Sequence, residues 1–311
     1  MAIEAKIEPS VWLITDNKPG HRNQLRGLGE RLASRFGASL TWIDANQYPA
    51  SWPRAIAGLA PDIAGPDPDI IIAAGSLPQR LLLACRRRYK ALRVVLMRPA
   101  LPFFRPDLAI VPMHDDPPDR PDVLVTRGVL NAVTPRSGEV TGQNSLILLG
   151  GPSEHYHWNS DDILEQLKVL SVEYPDWHWQ VTSSRRTPAP LIETLSSLGL
   201  DNVTFHHHED TGPDWLPATL ARSSAVWVSP DSVSMVYEAI TSGAPTGLFQ
   251  LTAKSVSRVV RGLKGLQADG LVTPWADRAR LMQDQARQGP PLWEADRAAE
   301  WLMQQYGEHA R

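Results

Sequence analysis

The feature that most constrains this chain is an alternation. Short apolar runs rich in β-branched residues, each bounded by turn residues, trade places with longer amphipathic stretches along most of its length. Such runs have no polar side, so they fit strands of a parallel sheet covered by helices on both faces. In the first half strands are predicted at 11–15, 39–43, 70–74, 93–97, 108–111 and 123–126, and in the second half at 146–149, 178–182, 203–206, 225–228 and 246–249. Between them the apolar spacing of three and four predicts helices. One runs over 23–36, with Leu25, Leu28, Leu32 and Phe36 on one face; another covers 161–173, with Ile163, Leu164, Leu167 and Leu170 inward; a third covers 232–241.

The pattern breaks once, at PRSGEVTGQN (135–144), which is polar and has no apolar period. That segment reads as an interdomain linker. The expected architecture is therefore α/β, with two Rossmann-like domains at 1–137 and 145–290 and a final amphipathic helix at 291–311 that packs back across them. Ligands of open parallel sheets bind at the carboxyl ends of the strands, so the expected site is a cleft faced by both sheets.

Composition narrows the function. With 31 Lys and Arg against 34 Asp and Glu, the net charge is −3, which is far from the cationic surplus of a protein that coats nucleic acid. A content of 42% hydrophobic residues excludes a disordered chain. The single cysteine, Cys85, excludes an internal disulfide. The opening MAIEAKIEPS carries Glu4 and Glu8 and lacks the apolar core of an export signal, and no apolar run approaches the ~18 residues of a spanning helix. A cytoplasmic location is expected, with peripheral contact at an inner membrane left open.

Four polar constellations sit where strands should end. Asp16 to Gln24 places an acid, a base, a His and a flexible Gly where the first strand feeds a helix, and can be a phosphate-holding turn or an ordinary capped loop. Gly150 and Gly151 would let a ligand approach the backbone closely, although the loop is neither a Walker A motif nor GxGxxG. Ser184, Arg185 and Arg186 offer hydroxyl and guanidinium groups suited to a diphosphate. Ser229 to Ala239 puts Asp231, Ser232 and Ser234 at a helix start, where the dipole favours an anion, with Glu238 further along to accept from two ribose hydroxyls. In the His206-His207-His208 run only alternate rings share a strand face, so no metal site is expected.

Six segments in register, DNKPGHRNQ (16–24), MHD (113–115), TRGVLNAVTP (126–135), LGGPSEH (149–155), TSSRRTP (182–188) and SPDSVSMVYEAITSGAP (229–245), resemble the mitochondrial fission ELM-type family of GT-B-like glycosyltransferases. The resemblance implies a nucleoside-diphosphate sugar as co-substrate, held by the C-terminal half without a bound metal or other cofactor. The diphosphate would meet Ser184, Arg185, Arg186, Asp231, Ser232 and Ser234, with Gly150 and Gly151 giving close approach, Glu238 on the ribose and Lys254 as a further cation. The N-terminal half would hold a carbohydrate or lipid-linked acceptor. Asp16 or His21 would be the general base supported by Lys18, and His114 with Asp115 the alternative pair. A nucleotide-sugar epimerase and a non-catalytic membrane-associated scaffold are the competing readings.

One surface feature bears on the acceptor. Arg86, Arg87, Arg88, Lys90 and Arg93 follow the apolar Leu81 to Leu83, and Leu101 to Arg105 adds aromatic side chains beside a cation. Basic charge beside exposed apolar groups suits anionic lipid headgroups, and equally suits a helix with one solvated face.

Overall fold

The structure is a computed structural model describing residues 8–100, 105–138, 140–284 and 292–309. The loop at 101–104 considered above and the end of the second expected domain, at 285–290, lie outside the described residues. In chain order the elements are β1 (Ser10–Thr15), α1 (Pro19–Phe36), β2 (Ser39–Asp44), α2 (Trp52–Ala57), β3 (Ile70–Ala74), α3 (Ser76–Cys85), β4 (Leu92–Leu96), β5 (Leu108–Pro112) and β6 (Val123–Thr126). They continue with β7 (Asn144–Leu148), α4 (Ser160–Glu173), β8 (His178–Thr182), α5 (Ala189–Ser196), β9 (Val203–His206), α6 (Trp215–Arg222), β10 (Ala225–Val228), α7 (Val233–Ser242) and β11 (Thr246–Leu248). The last are α8 (Arg258–Ala268), β12 (Thr273–Pro274), α9 (Arg278–Asp284) and α10 (Glu294–His309). The chain forms two compact units, one of Met1–Ala132 with Glu294–Arg311 and the other of Val133–Trp293.

The first unit is a six-stranded sheet in the order β2-β1-β3-β4-β5-β6, with every pairing parallel. Alternate residues of β1 serve opposite faces, as the two-residue period of a strand requires. Trp12 and Ile14 pack with Ile71, Ala73 and the α3 residues Leu81 to Cys85. Val11 and Leu13 pack with Ile70, Ile72 and the α1 residues Leu25, Leu28 and Leu32. Helix α10 joins this second layer through Ala298, Ala299 and Leu302, and Asp296 ties it to α1 by accepting from Arg31 and Arg35 at 2.7–2.8 Å. Because the small side chains of Ala298 and Ala299 let the two helices approach, α10 belongs to the first unit in space although it closes the chain.

The second unit repeats the architecture as β12-β11-β10-β7-β8-β9, again wholly parallel. One face buries Ile147, Trp179, Val181 and Trp227 against Ile163, Leu167 and Leu170 of α4 and Leu281 and Met282 of α9. Trp227 meets Phe249 and Trp275 edge-on, and those two rings stack on each other, so aromatic packing fixes the β10–β11 side of the sheet. Among the described residues no helix is long and apolar enough to cross a membrane.

Candidate functional site

In a doubly wound sheet a crevice opens at the carboxyl ends of two neighbouring strands whose connections leave in opposite directions. In the second unit that switch lies between β7, which leads to β8 and β9, and β10, which leads to β11 and β12. Gly150 and Gly151 follow β7, residues 229–232 follow β10, and residues 183–187 follow β8. Three of the four constellations singled out from sequence therefore gather on one rim.

Their hydrogen bonds show what each residue does. Gly150 donates its N–H to Ser229 Oγ at 2.8 Å, and Gly151 donates to Asp231 Oδ2 at 2.9 Å. The Gly150 carbonyl accepts from Ser184 Oγ at 2.9 Å and from Thr187 Oγ1 at 2.6 Å. Arg186 pairs with Asp231 at 2.8 Å and also donates to the carbonyls of Gly151 and Pro152 at 3.2 and 3.1 Å. A Cβ on Gly150 would fall 2.1 Å from Asp231 Oδ2, and one on Gly151 only 1.9 Å from the Arg186 carbonyl oxygen. The room left by the two missing side chains is thus taken up by the Asp231 carboxylate and the Arg186 backbone. Arg186, Ser184 and the buried Asp231 likewise hold the loops together, although the Arg186 side chain is exposed, as is Arg185.

Burial pushes the Asp231 carboxyl above its ordinary value, against the lowering influence of Ser229, the Gly151 N–H and Arg186. The nearby Tyr156 phenol is pushed up to about 12, chiefly by burial and further by the Asp231 charge. Tyr156 lines a cavity of about 410 Å³ with Pro230, Phe249, Lys264 and Trp275. It pairs with Ala253, and this short ladder brings Lys254 beside the loop, where Nζ donates to the Ser153 carbonyl at 2.9 Å. Sequence reasoning missed Tyr156 and Thr187, because neither residue type signals burial in a polar loop.

Asp231 leads directly into α7. The first N–H groups of a helix have no partner within it, and Ser232 at the cap position makes no side-chain bond to satisfy them. Ser234 is exposed on the first turn. Glu238, half-buried, lies four residues on and so on the same helix face. An electropositive helix end, a hydroxyl and a carboxylate are therefore aligned along one edge of the crevice.

The first unit has its own switch, between β1 and β3. Pro19 opens α1 earlier than the apolar spacing indicated, which puts His21 in the first turn and directs its ring back to the strand end. His21 Nδ1 lies 2.8 Å from Asp16 Oδ1, and Lys18 Nζ lies 3.5 Å from Asp16 Oδ2. Burial would raise the Asp16 carboxyl, but the bond to His21, the Lys18 N–H and the charges of both outweigh it and hold the group below its ordinary value. An ionised Asp16 fixes the proton on Nδ1 and leaves Nε2 as the basic nitrogen. Gly75, which follows β3 at φ +100°, makes this possible: a Cβ there would sit 2.6 Å from His21 Cε1 and Nδ1. Sequence reasoning passed over Gly75, although a Gly directly after a fully apolar strand is a readable signal.

The alternative pair stands apart. His114 and Asp115 form a single 3₁₀ turn after β5, three strand positions from β1, or roughly 14 Å at ~4.8 Å per strand. Of the histidine run, His206 packs on Trp215 at 5.0 Å, with burial first and His178 second lowering its pKa. His208 bonds Ser183 at 3.1 Å. Among the described residues no group of three or more His, Cys, Asp or Glu is placed to hold a metal ion.

Two six-stranded parallel sheets, each with a polar switch point, are the α/β architecture of the GT-B class, and solved structures agree in fold. A Listeria monocytogenes chain described provisionally as a UDP-N-acetylglucosamine 2-epimerase is 14% identical with a TM-score of 0.64, over 97% of each chain. The Methanocaldococcus jannaschii UDP-GlcNAc 2-epimerase, solved with UDP-GlcNAc and UDP, is 11% identical with a TM-score of 0.52, over 96% of this chain and 99% of that one. MurG of Acinetobacter baumannii is also 11% identical at 0.52, over 97% of this chain and 100% of that one. The sequence itself matches the family described as Mitochondrial fission ELM1 across residues 19–306, and the chain belongs to that family. An uncharacterised protein of Rickettsia prowazekii is 21% identical over 296 residues, spanning 77% of this chain and 83% of its own.

Proposed function

We propose that the chain is a glycosyltransferase that takes a sugar from a nucleoside diphosphate, without a bound metal, and passes it to a carbohydrate or lipid-linked hydroxyl. The observation that carries this reading is the start of α7: a helix end uncapped by its own side chain, aimed into the switch-point crevice, with Ser234 and Glu238 on one face. The helix dipole and N–H groups would take the diphosphate, Arg185 and Lys254 would add positive charge, and Glu238 would accept from the ribose hydroxyls. These groups favour the charge that grows on the leaving nucleoside diphosphate as the anomeric C–O bond breaks. The acceptor oxygen forms the new bond to the anomeric carbon, and its proton passes to His21 Nε2, with Asp16 stabilising the imidazolium that results.

Epimerisation is the second reading, because an Asp–His pair can also move a proton at carbon and the 2-epimerases share the fold. Titration calorimetry with UDP, GDP and CDP separates binding from silence, and Glu238→Ala should weaken the preferred nucleotide at least tenfold. Equal affinity in wild type and variant removes Glu238 from the site. NMR of the incubated nucleotide sugar then distinguishes the chemistries: transfer releases the nucleoside diphosphate, whereas epimerisation yields a new sugar still attached to it.

A further inference from the structure

The first unit presents an apolar patch that the sheet does not use. Trp52 and Ile56, one turn apart on α2, are 42% and 55% exposed, and Leu59, just beyond the helix, is 54% exposed. The chain turns sharply between them, because Gly58 adopts φ +70° and ends the helix. Three large apolar side chains so close in sequence are costly to hold in water unless they meet something.

Cations surround them. Arg80 lies over the Trp52 ring at 5.5 Å, and the stem of Arg87 packs on Gly58, where a Cβ would approach it to 2.8 Å. Arg86 is anchored beneath by donating to the carbonyls of Ala55 and Ile56. Burial, followed by the neighbouring charges of Arg87 and Arg93, lowers the Arg86 pKa, so the positive groups are close enough to repel. Arg54, Arg88 and Lys90 are exposed nearby in sequence on α2 and after α3. Against these stand Asp62 and Asp67, whose charges reach Tyr89 at the base of the cluster.

We propose that α2 and the turn after it, through Trp52, Ile56 and Leu59 with Arg80 and Arg87 beside them, dock the first unit on an anionic lipid bilayer. The charge excess chooses this occupant. Aromatic and branched apolar groups settle at the boundary of headgroups and acyl chains, while Arg side chains reach anionic phosphates. A neutral apolar partner would leave the arginines without counter-charges. The inference deepens the reading of the first unit as the acceptor side, and rests on it for why that unit meets a membrane, since a lipid-linked acceptor lies in the surface the patch would touch.

The test is co-sedimentation of the full chain with vesicles of phosphatidylcholine alone or with an equal part of phosphatidylglycerol. Binding is expected only to the anionic vesicles, falling as salt rises. At about 1 kcal/mol per cation, roughly fivefold, Arg87→Glu should lose at least ~5-fold, and Ile56→Ser with Leu59→Ser should abolish sedimentation. Equal binding to both vesicles, no binding to either, or variants that bind as wild type does would overturn the proposal. A dimer that Ile56→Ser dissolves would assign the patch to a second copy instead. Thermal denaturation checks that each variant folds, and UDP calorimetry reports the second unit separately: a wild type that binds UDP but no anionic vesicles overturns the docking proposal alone, and one that binds the vesicles but no nucleotide overturns the donor-site reading alone.

Discussion

Replacing Gly151 by Ala probes the rim of the second unit most sharply. The new Cβ would lie 1.9 Å from the carbonyl oxygen of Arg186 and 2.3 Å from its carbon, both backbone atoms that no rotamer change can move. The loops after β7 and β8 must part by roughly 1.5 Å to restore van der Waals contact. That strain is of the size of core overpacking, about 1–3 kcal/mol. A unit of this size loses ~2–4 °C in Tm per kcal/mol, so the second unit should melt roughly 2–12 °C lower. Parting the loops also stretches the 2.9 Å bond from Gly151 to Asp231, the residue before the α7 cap. Nucleotide affinity should therefore fall about tenfold, the equivalent of one hydrogen bond to a charged group. Differential scanning calorimetry gives the first number and titration with UDP the second. Gly265→Ala, at an α8 position with nothing within 4 Å of the added carbon, is the control and should stabilise by about 0.5–1 kcal/mol. A Gly151→Ala protein that melts with the wild type would refute the close packing of the two loops.

Gly75→Ala should displace the His21 ring, since its Cβ collides at 2.6 Å and its φ of +100° suits only Gly; the His21 C–H resonances should move, and an unchanged spectrum contradicts the packing. Asp231→Ala leaves the Gly151 N–H without its acceptor and Arg186 without its carboxylate partner and should cost about 1–3 kcal/mol in urea denaturation, at the lower end because Arg186 keeps two carbonyl acceptors and can rehydrate. Asp16 ionises in the fold below its ordinary 3.8, so its contribution is complete above pH 3.8 and vanishes as pH falls through the lower folded value. Asp16→Asn should accordingly be less stable than wild type at neutral pH and match it in strong acid; a gap that persists in acid rejects the ion pair as its source.

Strands buried on both faces were the most legible elements. The bounds of β3 and β10 follow directly from their apolar runs, because a strand covered on both sides needs apolar residues at successive positions. Helix α1 begins four residues before its apolar spacing does, because Pro19 needs no N–H bond and the first turn faces solvent. That shift mattered for function, since it moved His21 from a loop onto a helix. The two-residue β12 carries too little pattern to read, and the packing of α10 on α1 rests on contacts more than 260 residues apart in sequence. At the candidate site the polar segments were visible, but not their division of labour. Gly, Arg and Asp look alike in sequence whether they meet a ligand or each other, and only the distances separate Arg185 from Arg186.

A crystal structure of the chain grown with UDP tests the central claim most directly. The expected result is density for the diphosphate within hydrogen-bond distance of the first-turn N–H groups of α7 and of Ser234, with the ribose hydroxyls on Glu238. UDP bound away from the β7–β10 switch point, or no UDP at concentrations that saturate calorimetry, would contradict it.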